Sequence, residues 1–287
     1  MDTLVNGTPL WALAVLLFLA LMAAREAGGW LRRRQLRDSD GEAIEHDYIL
    51  NGVLGLLALL IAFTFGLALD RYDARRELVV DEANAIGTAE MRVRLLDPEH
   101  GLRLARLYRQ YAETRLKYGE AKAADKPPLQ RESAALRARI ETDALTALQP
   151  VRLTPLAAMV TPAVNESLDI GVTREATHAS RIPTMVLAVL AIYALVSAGL
   201  LGTALNAAGR PNRGLSGLLL ALLTLAIIVI LDLDRPQEGA IRISQQPLAT
   251  LVAGFAATPL PSAAPSPPSP AIPASPAAGG SSRPPAK

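Results

Sequence analysis

Two short charge clusters hold the residue types most able to do chemistry. Asp70, Arg71 and Asp73 lie in GLALDRYDARR, and Asp232, Asp234 and Arg235 lie in ILDLDRP. Each cluster closes a stretch that carries no charge. Carboxylates and guanidiniums placed this way can pair across two helices, Arg71 with Asp232 and Asp70 with Arg235. Four acids against two arginines leave a surplus of negative charge, to be solvated, protonated or held by a cation. An interfacial lock between two helices is the simpler reading. Exposed pairs contribute only about 0–1 kcal/mol, and partial burial raises the cost of removing one partner.

Other chemistry is sparse. His46, His100 and His178 are scattered without a metal-ligand spacing and read as solvated. The absence of cysteine excludes disulfides and thiolate metal sites. No glycine-rich phosphate loop, nucleophile elbow or metal-spaced cluster is present, so the expectation is no enzyme, no catalytic residue, no cofactor and no metal. Lys+Arg 29 against Asp+Glu 27, a net +2, gives no bulk field for nucleic acid.

The elements that must position these clusters are apolar. Ile49 to Leu69 has 21 residues without a charge, Ile182 to Ala208 has 27, and Gly214 to Leu231 has 18, with a shorter block from Pro9 to Ala24. About 20 apolar residues cross a bilayer, and in hydrocarbon they must be helical to satisfy their own backbone. Before the first block only Asp2 is charged, and the basic WLRRRQLR follows it, so it reads as an anchor and not a cleaved signal. The expected fold is an all-α membrane protein. Four transmembrane helices carry a long helical extramembrane bundle between the second and third. The expected units are 1–69, 70–181, 182–231, a post-span segment 232–258, and a disordered Pro/Ala/Ser tail 259–287 that holds ten of the 21 prolines. Four spans bring both charge clusters to the side that holds the insert.

Within the insert, the second span continues as one rod to Leu96, striped by Val79, Ala83, Ile86 and Val93. Asp97-Pro98-Glu99 is a stop and restart. Leu104, Leu107, Tyr108 and Tyr111 share the next face. Pro127-Pro128 breaks the chain again, and Leu136, Ile140, Ala144 and Leu148 stripe a third helix. Thr154-Pro155 and Thr161-Pro162 read as two further helix starts. The insert's 18 basic and 17 acidic residues read as a solvated bundle surface.

Small residues mark packing faces, because lipid gives no hydrophobic drive and close approach must supply the contact. Ala58, Ala62 and Gly66 recur every four residues in the second span, and Gly199 and Gly202 lie in the third. Ala83 and Gly87 continue the pattern beyond the membrane, with Asn84 beside them as a register-fixing polar residue. For Asn84, Asp81 and Glu82, packing and solvation outweigh catalysis. Asn51, Thr64, Ser197, Thr203 and Thr224 could line a path, or hydrogen-bond to backbone inside the bundle. Phe63 and Phe65 lie roughly 200° apart on a helix, so at most one faces a given axis.

The stretches LALDRYDARRELVVDEANAIGTAEMRVRLL and ILDLDRPQEGAIRISQQPL resemble a bacterial four-span family of unknown function that is called bestrophin-like. The likeness covers roughly Ile49 to Leu251. Bestrophins are pentameric anion channels whose second span lines the pore, with an acidic calcium-binding stretch after the fourth. The resemblance therefore implies Phe63 or Phe65 near a constriction and Asp232 and Asp234 in the place of the acidic stretch. Two acids stand there instead of a dense run.

The expected function is an oligomeric integral membrane protein, an anion channel on the bestrophin pattern. Its partners would be the lipid bilayer, further copies of the chain and an inorganic anion. The alternative is a non-conducting scaffold or sensor that uses its helical domain and Pro-rich tail. The resemblance places the chain in a bacterial inner membrane. Cytoplasmic loops are rich in Lys and Arg. The dense run Arg25, Arg32, Arg33, Arg34 and Arg37 after the first span favours both termini and the insert outside the cytoplasm, whereas bestrophin resemblance implies the reverse.

Overall fold

The computed structural model describes residues 8–35, 43–207, 213–235, 239 and 241–261. The proline-rich tail from 262 onward and the residues 36–42 and 208–212 lie outside the described residues. Among those described, the chain is helical and contains no strand.

Helix α1 runs Leu10–Gln35, well beyond the end expected at Ala24. The basic segment after the apolar block was expected as a loop, yet WLRRRQ is helical. Leu, Arg and Gln, none of them branched at Cβ, are good helix formers. Helix α2, Ala43–Val93, is one rod of 51 residues, about 76 Å long at 1.5 Å per residue. The stop and restart follows as expected. The Asp97 carboxylate accepts the backbone N–H of His100 at 3.1 Å, and Pro98 opens α3, Pro98–Glu120.

Helix α4 is Lys126–Leu148. Pro127 and Pro128 sit in its first turn, where a missing N–H has no intrahelical partner to lose. Helix α5 is Pro155–Ala179. Here Pro162 is interior and starts no second helix, contrary to expectation. An interior proline removes one N–H and presses on the carbonyl four residues back. In that turn Arg92 Nη1 donates to the Met159 carbonyl at 3.1 Å. Helices α6, Thr184–Ala207, α7, Arg213–Asp234, and α8, Gln246–Ala257, complete the order. Four helices, α1, α2, α6 and α7, are long and apolar enough to cross a membrane.

Two hydrophobic cores result. One joins the apolar helices through Leu21, Leu57, Ala68, Leu190, Leu220 and Ile230. Both α1 and α2 pack on α6 and α7. Glycines set the α1–α6 crossing: a Cβ on Gly28 would collide with the Gly199 carbonyl, and one on Gly202 with the Arg25 carbonyl. The second core fills the helical bundle outside the apolar block, where α2 meets α3, α5 and α8. The expected stripes are in it: Val79, Ile86, Val93, Leu104, Tyr108, Tyr111 and Ile140 are fully or almost fully buried.

Candidate functional site

Helix α2 carries the candidate site, and its two faces differ from Asn51 to Ile86. At roughly 100° per residue, Leu57, Thr64, Ala68, Arg75, Val79, Glu82 and Ile86 fall on one side, and all are buried. Asn51, Gly55, Ala58, Ala62, Leu69 and Asp73 fall on the other and are exposed, as are Arg76, Val80 and Asn84 farther along. Beyond the adjoining turns of α2 itself, nothing of the chain lies within 4 Å of a Cβ built on Gly52, Gly55 or Gly66. The small-residue stripe Ala58, Ala62, Gly66 thus faces away from the chain's own helices.

The two phenylalanines flank this open face, Phe63 at 65% exposure and Phe65 at 40%. Thr64 points the opposite way at 1% exposure and returns its hydroxyl to the Leu60 carbonyl at 2.7 Å. Thr203 and Thr224 do the same to Leu200 and Leu220, which is how hydroxyls are satisfied inside apolar helices. Ser197 is buried. Outside the apolar block, Ala83 is buried and a Cβ on Gly87 would press on Leu251 of α8. Asn84 is exposed, so it fixes no register within the chain's own bundle.

Where the apolar stretch of α2 ends, the two charge clusters do come to one level, with different partners from those expected. Arg71 Nη1 donates to the Ser180 hydroxyl at 3.0 Å, and Asp70 and Asp73 are exposed. The arginine that joins α2 to the end of α7 is Arg75, one turn beyond Arg71. Its guanidinium donates to the Leu233 carbonyl at 3.3 Å and the Ser180 carbonyl at 2.7 Å, and stands 4.0 Å from the Asp234 carboxylate. Asp234 also accepts the Ile182 N–H at 2.9 Å, Asp232 accepts the Ile241 N–H at 3.1 Å, and Arg235 donates to the Thr8 carbonyl at 2.9 Å. The cluster is a junction where four chain segments exchange charge-assisted hydrogen bonds.

That use of the acids bears on calcium. Ca²⁺ takes about six to eight oxygen ligands. Asp232 and Asp234 each commit an oxygen to a backbone amide, and among the described residues no group of three or more His, Asp or Glu could hold a metal. The donor set does not fit a calcium site.

Deeper in the bundle lies a network that the sequence reading treated as surface. Glu82 of α2 and Arg115 of α3 are both 0% exposed. Arg115 Nε donates to Glu82 at 2.5 Å, and its Nη1 donates to Glu175 of α5 at 2.6 Å. Arg174 donates to the other Glu82 oxygen and to Gln245, just before α8. Arg137 of α4 donates to Glu175 at 2.8 Å. Four helices therefore meet on two carboxylates, and the segment before α8 joins them through Arg174. The signal was present in the spacing: Glu82 shares a face with Val79 and Ile86, and Arg115 lies one turn beyond Tyr111 on the apolar stripe.

Cations outnumber acids here, and titrating neighbours respond. Burial, then Arg174 and Arg115, lowers the Lys126 amine to about 8. Burial, then Lys126 and Arg174, lowers the His178 imidazole to about 3. His178 stands against Tyr118, ring centroids 6.3 Å apart, and so is not the solvated residue expected. Arg109 secures α8 from the same bundle, donating to Glu90 and to the Phe255 and Thr258 carbonyls, the latter two at 2.8 Å.

Similarity to known proteins follows the same architecture. The structure resembles crystal structures of a bacterial bestrophin homologue from Klebsiella pneumoniae. One point variant has a TM-score of 0.60 at 12% identity, covering 86% of this chain and 97% of that one. A second point variant has 0.57 at 11%, covering 83% and 98%, and the zinc-phased structure has 0.56 at 12%, covering 84% and 97%. No curated protein matches. The Bestrophin-like domain family matches residues 15–248. The chain belongs to the Bestrophin-like family of membrane proteins.

Proposed function

We propose that this protein is a homo-oligomeric channel for an inorganic anion, with four membrane-spanning helices, in which α2 of each copy lines the path. The observation that supports this reading is the open face of α2. It runs from Asn51 past Asn84, is small and apolar through the bilayer, and is polar beyond it. Within the uncharged stretch 49–69 the face offers Phe63 or Phe65 as a narrowing, and hydrophobic constrictions gate by dewetting. The junction around Arg75 and the network around Glu82 tie that helix to the rest of the chain, so movement of the bundle reaches the path through one rigid rod.

The chain sits in a bacterial inner membrane with both termini and the insert outside the cytoplasm, following the dense arginine run after α1. A non-conducting scaffold is a second reading. It draws on an open groove of about 760 Å³ between α2 and α8, lined by Arg76, Val80, Asn84, Gln246 and Phe255. Anion flux from liposomes that contain the purified full-length chain decides between them. Flux that rises in Phe63→Ala or Phe65→Ala supports the channel and identifies the narrowing residue. No flux above protein-free liposomes, in a preparation shown to be folded and oligomeric, overturns it.

A further inference from the structure

A second cavity lies among α1, α6 and α7, away from the open face of α2. Its volume is about 530 Å³, inside the range of roughly 300–1,000 Å³ that holds small molecules. The walls are aliphatic, with Leu16, Leu187, Ala191 and Ile227 among them, and they are contributed by helices apolar enough for the bilayer. The rim at the extramembrane end carries Arg181, Arg235 and Asp234. One apolar chamber and one charged mouth call for an amphiphile.

The charge at the mouth selects its head. Asp234 is already engaged by the Ile182 N–H and faces Arg75. Arg235 is buried and held in place by its bond to the Thr8 carbonyl, while Arg181 is exposed beside it. Two guanidiniums, Arg181 and Arg235, therefore line the mouth with one carboxylate that Arg75 already faces. Basic pockets between membrane helices suit anionic headgroups, and two arginines can present a fork of donors to phosphate oxygens. A ligand that enters at this depth comes from the bilayer.

We infer that the cavity among α1, α6 and α7 binds an anionic phospholipid, with an acyl chain between the three helices and the phosphate at Arg181 and Arg235. Asp234 and Arg235 also belong to the junction with α2, so the bound lipid bears directly on the segment that holds the long rod.

The test uses the full-length protein in a neutral detergent, titrated with phosphatidylglycerol or phosphatidylcholine, with retained lipid read by native mass spectrometry. The expected result is tighter retention of phosphatidylglycerol, with each arginine contributing roughly fivefold. Arg181→Gln, at an exposed position, reduces that preference, and adding Arg235→Gln removes it. Ala191→Trp fills the chamber and lowers retention of both lipids, with the size-exclusion profile unchanged. Equal retention of the two lipids by the unaltered protein overturns the proposal, as does a preference that survives Arg181→Gln with Arg235→Gln. Displacement of phosphatidylglycerol by inorganic phosphate alone, or equal retention of a fatty acid, overturns it as well.

Discussion

Arg115 of α3 and Glu82 of α2 form an ion pair with both side chains at 0% exposure, Nε to Oε1 at 2.5 Å, across 33 positions of chain. Arg115 also holds Glu175, so its removal takes one arginine from each of two carboxylates and leaves Glu82 to Arg174 and Glu175 to Arg137. Breaking a buried pair from one side costs about 3–5 kcal/mol. Arg115→Met should therefore lower the thermal unfolding midpoint far more than Arg139→Met, an exposed change expected to lie within about 0.5 kcal/mol of neutral. Similar midpoints for the two variants would show that the network adds nothing to stability.

His178 and Lys126 give the bundle a defined pH response. His178 titrates near 3 in the fold and near 6.5 when unfolded. Between those values the unfolded chain binds the extra proton, so stability falls as pH drops from about 6.5 towards 3. Lys126 titrates near 8 in the fold against 10.5 unfolded. The same sign applies, and stability rises with pH from about 8 to 10.5. Unfolding midpoints across both windows should be flatter in His178→Phe for the acid limb and in Lys126→Met for the alkaline limb. Unaltered slopes in both variants would count against these assignments.

The junction at the end of α7 makes a pairwise prediction. Arg75 and Asp234 should show coupling in a double-mutant cycle of Arg75→Met and Asp234→Asn. Arg71→Asp and Asp232→Arg should instead add within about 0.3–0.5 kcal/mol, as separate sites do. The reverse outcome would restore Arg71 as the partner.

The α1–α6 crossing has no room for side chains at Gly28 or Gly202. Gly202→Leu should separate the two helices and lower the yield of folded protein. Gly55→Leu, on the open face of α2, should leave the single chain intact and alter the mass of the assembly in mild detergent. Loss of folded chain in both variants would argue against separate intra-chain and inter-chain faces.

Membrane orientation is open to direct measurement because the chain has no cysteine of its own. Ser281→Cys in the tail should react with an impermeant thiol reagent on intact cells, and Ser39→Cys between α1 and α2 should not. Labelling of Ser39→Cys alone would reverse the assignment.

The sequence by itself determined the apolar helices, the helical insert and the restart at Asp97-Pro98, because each is a local matter of hydropathy, period or capping. It also determined the stripes Val79–Val93 and Leu104–Tyr111, since helical spacing fixes which residues share a face. Pro162 was misread for the same local reason: proline disfavours a helix interior, but the tertiary packing of α5 on α2 outweighs one lost hydrogen bond. Only the tertiary structure decided who meets whom. Arg75, not Arg71, reaches Asp234: the two arginines share one face of α2, a turn apart, and only the packing of α2 against α7 fixes which turn meets the carboxylate. Glu82 and Arg115 looked solvated because charge predicts exposure, and only the approach of α3 and α5 supplies the partners that let them be buried. The open face of α2 was legible as small residues. That the chain's own helices leave it uncovered is a property of how α1, α6 and α7 pack, and no local pattern encodes it.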